Sequence, residues 1–71
     1  MILLEATLYE GKPLVQRVSR TTGTLQRPHD FQRGLNTLAP GETISVFLSS
    51  YDMSIYRRVD KDYGIYTLPT R

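Results

Sequence analysis

Residues 2 to 8 alternate, with Ile2, Leu4, Ala6 and Leu8 on one side and Leu3, Glu5, Thr7 and Tyr9 interleaved. A period of two marks a strand, because successive side chains of an extended chain point to opposite faces. Glu10-Gly11-Lys12-Pro13 has turn chemistry, and Leu14 to Thr22 follows with the β-branched residues Val15, Val18, Thr21 and Thr22. A hairpin is expected. Its second strand alternates poorly, Leu14, Gln16 and Val18 against Val15, Arg17 and Ser19, which suits an edge or bulged strand.

The period then changes. Gly23-Thr24 ends the second strand, and between Pro28 and Leu38 the apolar residues Phe31, Leu35 and Leu38 fall four and three apart, one stripe of a short helix. Pro28 suits a first helical position and Asp30 complements the positive end of the helix dipole. Gly34 weakens the element, which is expected to form only when packed on the sheet. Ala39-Pro40-Gly41-Glu42 reads as a type II turn. Strand alternation returns from Glu42 to Ser50, with Ile44, Val46 and Leu48 inward and Thr43, Ser45, Phe47 and Ser49 outward. Met53 to Val59 and Gly64 to Leu68 are read as two more strands, joined as a hairpin by Asp60-Lys61-Asp62-Tyr63, with Pro69 ending the ladder.

The expected fold is therefore α+β and mainly β. About five antiparallel strands form a curled or partly closed sheet, with one short helix between strands 2 and 3. Residues 1–71 make one small domain, since separate cores need several times this length. Such a core rarely contributes more than roughly 3 to 5 kcal/mol of net stability, and small domains gain the rest from disulfides, a metal or association. With no Cys and one His, association is the route left open. The lack of Cys also favours a reducing cytoplasmic setting. No apolar run approaches the roughly 18 residues of a membrane span, and Glu5 interrupts the N-terminal run before it resembles a signal peptide.

The chain carries 9 basic and 7 acidic residues, a net charge of +2, too small to imply nucleic acid by itself. Most of the basic residues are Arg, which suits bidentate contacts and stacking at an interface.

Catalytic parts are scarce. His29 is the single His, and its neighbour Asp30 would point about 100° away on a helix, a poor orienting partner. No Ser sits in a Gly-x-Ser-x-Gly context. Asp60-Lys61-Asp62-Tyr63-Gly64 begins like a calcium loop but has its glycine one place early and ends on Arg71. The five glycines are scattered and form no phosphate cradle. No catalytic, cofactor or metal residue is assigned, and no small-molecule substrate is expected.

The remaining signal lies in the C-terminal third, where tyrosines crowd among basic residues. On the strand reading, Tyr56 and Arg58 share a face that Tyr66 approaches across the hairpin, with Phe47 beside it. The candidate partner-binding residues are Phe47, Tyr51, Tyr56, Arg57, Arg58, Lys61, Tyr63 and Tyr66. Tyr and Arg dominate binding hot spots, so the expected function is a non-catalytic protein-binding module, such as a small subunit of an assembly or a compact inhibitor, with a protein partner or a homo-oligomer. The alternative is a single-stranded nucleic-acid binder that stacks bases on Tyr and holds phosphates with Arg.

Overall fold

A computed structural model describes residues 1–67. In chain order these form β1 (Ile2–Tyr9), β2 (Lys12–Arg17), β3 (Thr24–Gln26), α1 (Pro28–Gly34) continued by a 3-10 turn (Leu35–Thr37), β4 (Thr43–Leu48), a second 3-10 turn (Ser50–Asp52), α2 (Met53–Tyr63) and β5 (Ile65–Thr67). The five strands lie in one sheet in the order β3-β4-β1-β2-β5. β1 pairs antiparallel with β2 and β4, whereas β3 runs parallel to β4 and β5 parallel to β2.

The domain is α+β and rich in strand, but the expected antiparallel, partly closed sheet is replaced by an open, mixed one. The helix read between strands 2 and 3 lies between β3 and β4, because Thr24–Gln26 is itself a strand. Three residues are too few to show a period, so only their pairing with β4 reveals them. The larger correction is α2, which occupies the segment read as a strand from Met53 to Val59 and as the hairpin loop Asp60 to Tyr63. Of the last expected strand, Ile65–Thr67 is β5, and Leu68 lies outside the described residues.

Local chemistry explains the helix. The Ser49 N–H and hydroxyl both donate to the Asp52 carboxylate at 2.9 Å, and the Ser49 hydroxyl accepts from the Tyr51 N–H at 3.3 Å. This capping box starts the 3-10 turn that runs directly into α2, satisfying donors that a helix start leaves without intrahelical partners. Ile55, Tyr56, Val59 and Tyr63 then fall on one stripe at helical spacing. The Gly64 N–H bonds the Asp60 carbonyl at 2.8 Å to close the last turn, and the Asp60 carboxylate takes the Ile65 N–H at 2.9 Å as β5 begins. Asp60 thus ends a helix instead of turning a hairpin.

The two turns read from sequence are present. Tyr9 pairs with Lys12, and Glu10 and Gly11 both have positive φ, 52° and 79°, the type I′ signature of a two-residue hairpin. The Glu42 N–H donates to the Ala39 carbonyl at 3.0 Å across Pro40-Gly41.

One core lies between the sheet and both helices. Leu4, Ala6, Val15, Ile44, Val46 and Leu48 from the strands meet Phe31, Leu35 and Leu38 from the α1 region and Ile55 and Val59 from α2. The opposite sheet face has no helix. It is crossed instead by the link Val18 to Gly23, where the Thr21 hydroxyl donates to the Glu5 carboxylate at 2.6 Å. At the end of this strap Gly23 lies so close to β4 that a Cβ there would sit 2.7 Å from Thr43 Cγ2. Ser45, read as outward, is fully buried even though it alternates with the core residues, and its hydroxyl has no hydrogen-bond partner.

Two stability measurements test these details. Glu10→Asn, which tolerates positive φ better, is expected to stabilise the hairpin by about 1 kcal/mol, raising the melting temperature by about 4 to 8 °C. Ser45→Ala removes a buried hydroxyl with nothing to bond and should leave stability unchanged or raise it by about 1 kcal/mol. A clear loss in denaturant unfolding would mean that the hydroxyl is bonded after all.

Candidate functional site

At 100° per residue, α2 divides cleanly. Ile55, Tyr56, Val59 and Tyr63 span an arc of about 100°, and Ser54, Arg57, Arg58 and Lys61 span a second one on the far side. Ile55 and Val59 are buried, Tyr56 and Tyr63 are half-buried against the same core, and the three basic residues are exposed. The Tyr63 hydroxyl also donates to Asn36 Oδ1 at 2.6 Å, tying the end of α2 to the 3-10 turn after α1.

The eight candidate residues consequently separate into groups. Arg57, Arg58 and Lys61 come together on the outer face of α2. Tyr56 and Tyr63 turn inward, so the face that was to join Tyr56, Arg58 and Tyr66 does not form. Tyr51 stands 95% exposed in the 3-10 turn before α2. Phe47 and Tyr66 lie on the helix-free side of the sheet, because Phe47 registers with Leu3 and Tyr66 with Gln16, both alternating with core residues. Three strand spacings of about 4.8 Å put β4 and β5 about 14 Å apart, so these two rings are not neighbours. Leu25, read as loop, and Phe47 are both exposed and stand on adjacent strands diagonal to each other.

Three of the nearby acids are engaged elsewhere, and the fourth, Asp62, lies beside the basic group with no ion pair among the described residues. Asp30 is held by Arg27 at 3.0 Å and by Arg33 at 3.7 Å, Asp52 serves the capping box, and Asp60 takes the Ile65 N–H. Among the described residues, Arg57, Arg58 and Lys61 have no ion-pair partner. They line a shallow depression of about 360 Å³ with Ser54 and Asp62. Small-molecule sites are mostly apolar with a few polar groups, whereas every side chain lining this one is polar or charged.

His29 is exposed in the first turn of α1, and Asp30 is engaged with Arg27 and Arg33 rather than orienting the imidazole. Ser45 lacks the hydrogen-bonded base that would make it a nucleophile. No helix among the described residues is long and apolar enough to cross a membrane. Neither a protein-family model, nor a curated protein, nor a solved structure matches this chain.

The missed signals were local. Ser49-x-x-Asp52 is a helix-start motif, and Tyr56 and Tyr63 complete the Ile55/Val59 stripe that a strand reading ignores. The division of α2 predicts unequal responses to truncation. Tyr56→Ala should lower stability by about 1 to 2 kcal/mol through lost burial, and Arg58→Ala should change it by less than about 0.5 kcal/mol. Urea unfolding of the two variants checks this, and equal losses would contradict the orientation of α2.

Proposed function

We propose that this protein is a non-catalytic protein-binding module, a small subunit of an assembly or a compact inhibitor, that docks an acidic surface of its partner against the outer face of α2. The observation that carries the reading is the group Arg57, Arg58 and Lys61, exposed, mutually adjacent and, among the described residues, without an ion-pair partner even though Asp62 lines the same depression. Adjacent like charges repel, and an acidic partner relieves that repulsion while it gains hydrogen bonds from the Arg forks. The cysteine-free chain suits the reducing cytoplasm as its place of action.

The nucleic-acid reading required rings and cations on one face, so that bases could stack where phosphates are held. Here Tyr56 and Tyr63 face the core, and Phe47 and Tyr66 occupy the opposite side of the sheet. Tyr51 alone stays exposed on the α2 side, and one ring gives no succession of stacking platforms, which favours protein. A two-fold dimer with Arg57, Arg58 and Lys61 at its axis would oppose like charges, which favours a different chain as the partner.

The test is capture from a nuclease-treated lysate of the source organism by the immobilised wild-type protein and by the triple variant Arg57→Glu, Arg58→Glu, Lys61→Glu. A protein retained by the wild type should be lost more than tenfold with the variant and should weaken as salt rises, while circular dichroism and melting show an intact fold. Retention unaffected by the triple reversal, or abolished by nuclease, overturns the reading.

A further inference from the structure

The depressions of the helix layer differ in the charge of their walls. The one beside Lys61 includes Asp62, and one at the start of α1, of about 440 Å³, includes Asp30 and Asp52. Another, of about 310 Å³ between the two helices, is lined by His29, Gln32, Ser54, Ile55 and Arg58 and by no acid. An anion meets no like charge there, and Arg58, without an ion-pair partner among the described residues, offers it an unengaged guanidinium. A neighbouring depression along α1 also lacks an acid, but its cation, Arg33, is held by Asp30 at 3.7 Å.

All but one of the lining side chains donate hydrogen bonds. His29 and Gln32 are three apart on α1, and Ser54 and Arg58 are four apart on α2, so each pair stands on one face of its helix. The Arg58 fork, the Ser54 hydroxyl, the Gln32 amide and an imidazole N–H of His29 thus line one depression from two sides. Ile55, 8% exposed and part of the core, forms its apolar base. The bond from Tyr63 to Asn36 ties the helices together farther along, so the two walls keep their spacing without a ligand. A carboxylate presents two oxygens in one plane, and the Arg fork by itself matches them. A phosphoryl group presents three oxygens around a tetrahedral centre and a charge of about −1.5 to −2 near neutral pH, so it makes use of donors on both walls.

We infer that the depression between α1 and α2 holds the phosphoryl group of a phosphorylated side chain of the partner protein, with Arg58 and Ser54 on one side of it and His29 and Gln32 on the other. This rests on the proposed protein-binding role and adds to it that α1 takes part and that docking depends on phosphorylation of the partner. Arg57 and Lys61, outside the depression, face acidic residues beside the phosphorylated one.

Titration of the isotope-labelled full chain at fixed ionic strength, followed by amide chemical shifts, tests the inference. The probes are a Gly-Ser peptide carrying one phosphoserine, the same peptide with Glu in its place, inorganic phosphate and a short oligouridylate. The phosphopeptide should move the amides of His29, Gln32, Ser54 and Arg58 and saturate at about tenfold lower concentration than the Glu peptide. Arg58→Gln and Gln32→Glu, which keep good helix formers in place, should each raise that concentration about tenfold, and Arg57→Gln should change it less than about threefold. Equal saturation by the two peptides, or a phosphopeptide indifferent to Gln32→Glu, overturns the inference and leaves acidic docking on α2 standing. Inorganic phosphate as effective as the phosphopeptide would make this a site for a free anion, and a tighter oligouridylate would make it one for nucleic acid; either overturns the inference. Absence of binding overturns it too, and unimpaired capture by the triple variant would separately remove the binding role.

Discussion

A strand twisted to the right and joined to a parallel strand of the same sheet can lay its connection back on the sheet in essentially one hand, and this chain makes three such connections. Going from β3 to β4 and from β4 to β5, the chain steps in the same direction through the order β3-β4-β1-β2-β5. With one hand, both crossovers must lie on one face, and α1 and α2 do. From β2 to β3 the chain steps back the other way, so that connection must pass over the opposite face, as the strap from Val18 to Gly23 does. The placement of the single core, the bare side of the sheet and the helix pair all follow from this geometric constraint.

The consequence for function is a division of surfaces. The helix layer buries its apolar stripes and shows solvent Arg57, Arg58 and Lys61 around a polar depression. The sheet layer, covered only by a short strap, keeps Leu25, Phe47 and Tyr66 partly in solvent. Of the rings that crowd with these cations in the sequence, Tyr56 and Tyr63 turn toward the core, Tyr66 lies on the other side of the sheet, and Tyr51 stands exposed in the turn before α2. Their coincidence within a short stretch of chain reflected the length of one helix and its flanks, not a shared face.

Much of the scaffold was legible. Strong alternation identified β1 and β4, Phe31, Leu35 and Leu38 identified the helical stretch after Pro28, and Gly11 and Gly41 marked the two turns. Of the candidate site, Arg58 was expected on an exposed face, but the strand reading put Arg57 on the core side with Ile55 and Val59 and could not place the Tyr companions. Ile55 and Val59 are four apart, a separation that puts both on one side in a strand and also on one stripe in a helix. β-branched and aromatic composition tipped that balance toward strand, while the capping box at Ser49 and Asp52 and packing on the core tip it toward helix in the fold.

What the sequence by itself determined is everything that depends on neighbours a few residues apart: periodicity, turns, caps, and the exclusion of disulfides from a chain without Cys. What only the tertiary structure decided is everything that depends on which strand lies beside which. β3 exists as a strand because β4 offers it partners, and Ser45 is buried because β4 lies inside the sheet, in register with both Glu5 and Leu25. The helix layer exists because α1 and α2, far apart in the chain, pack on one face of the sheet. Local signals act through bonds within a turn of chain, whereas strand order and crossover direction are settled by the packing of the whole sheet, which no short window of residues encodes.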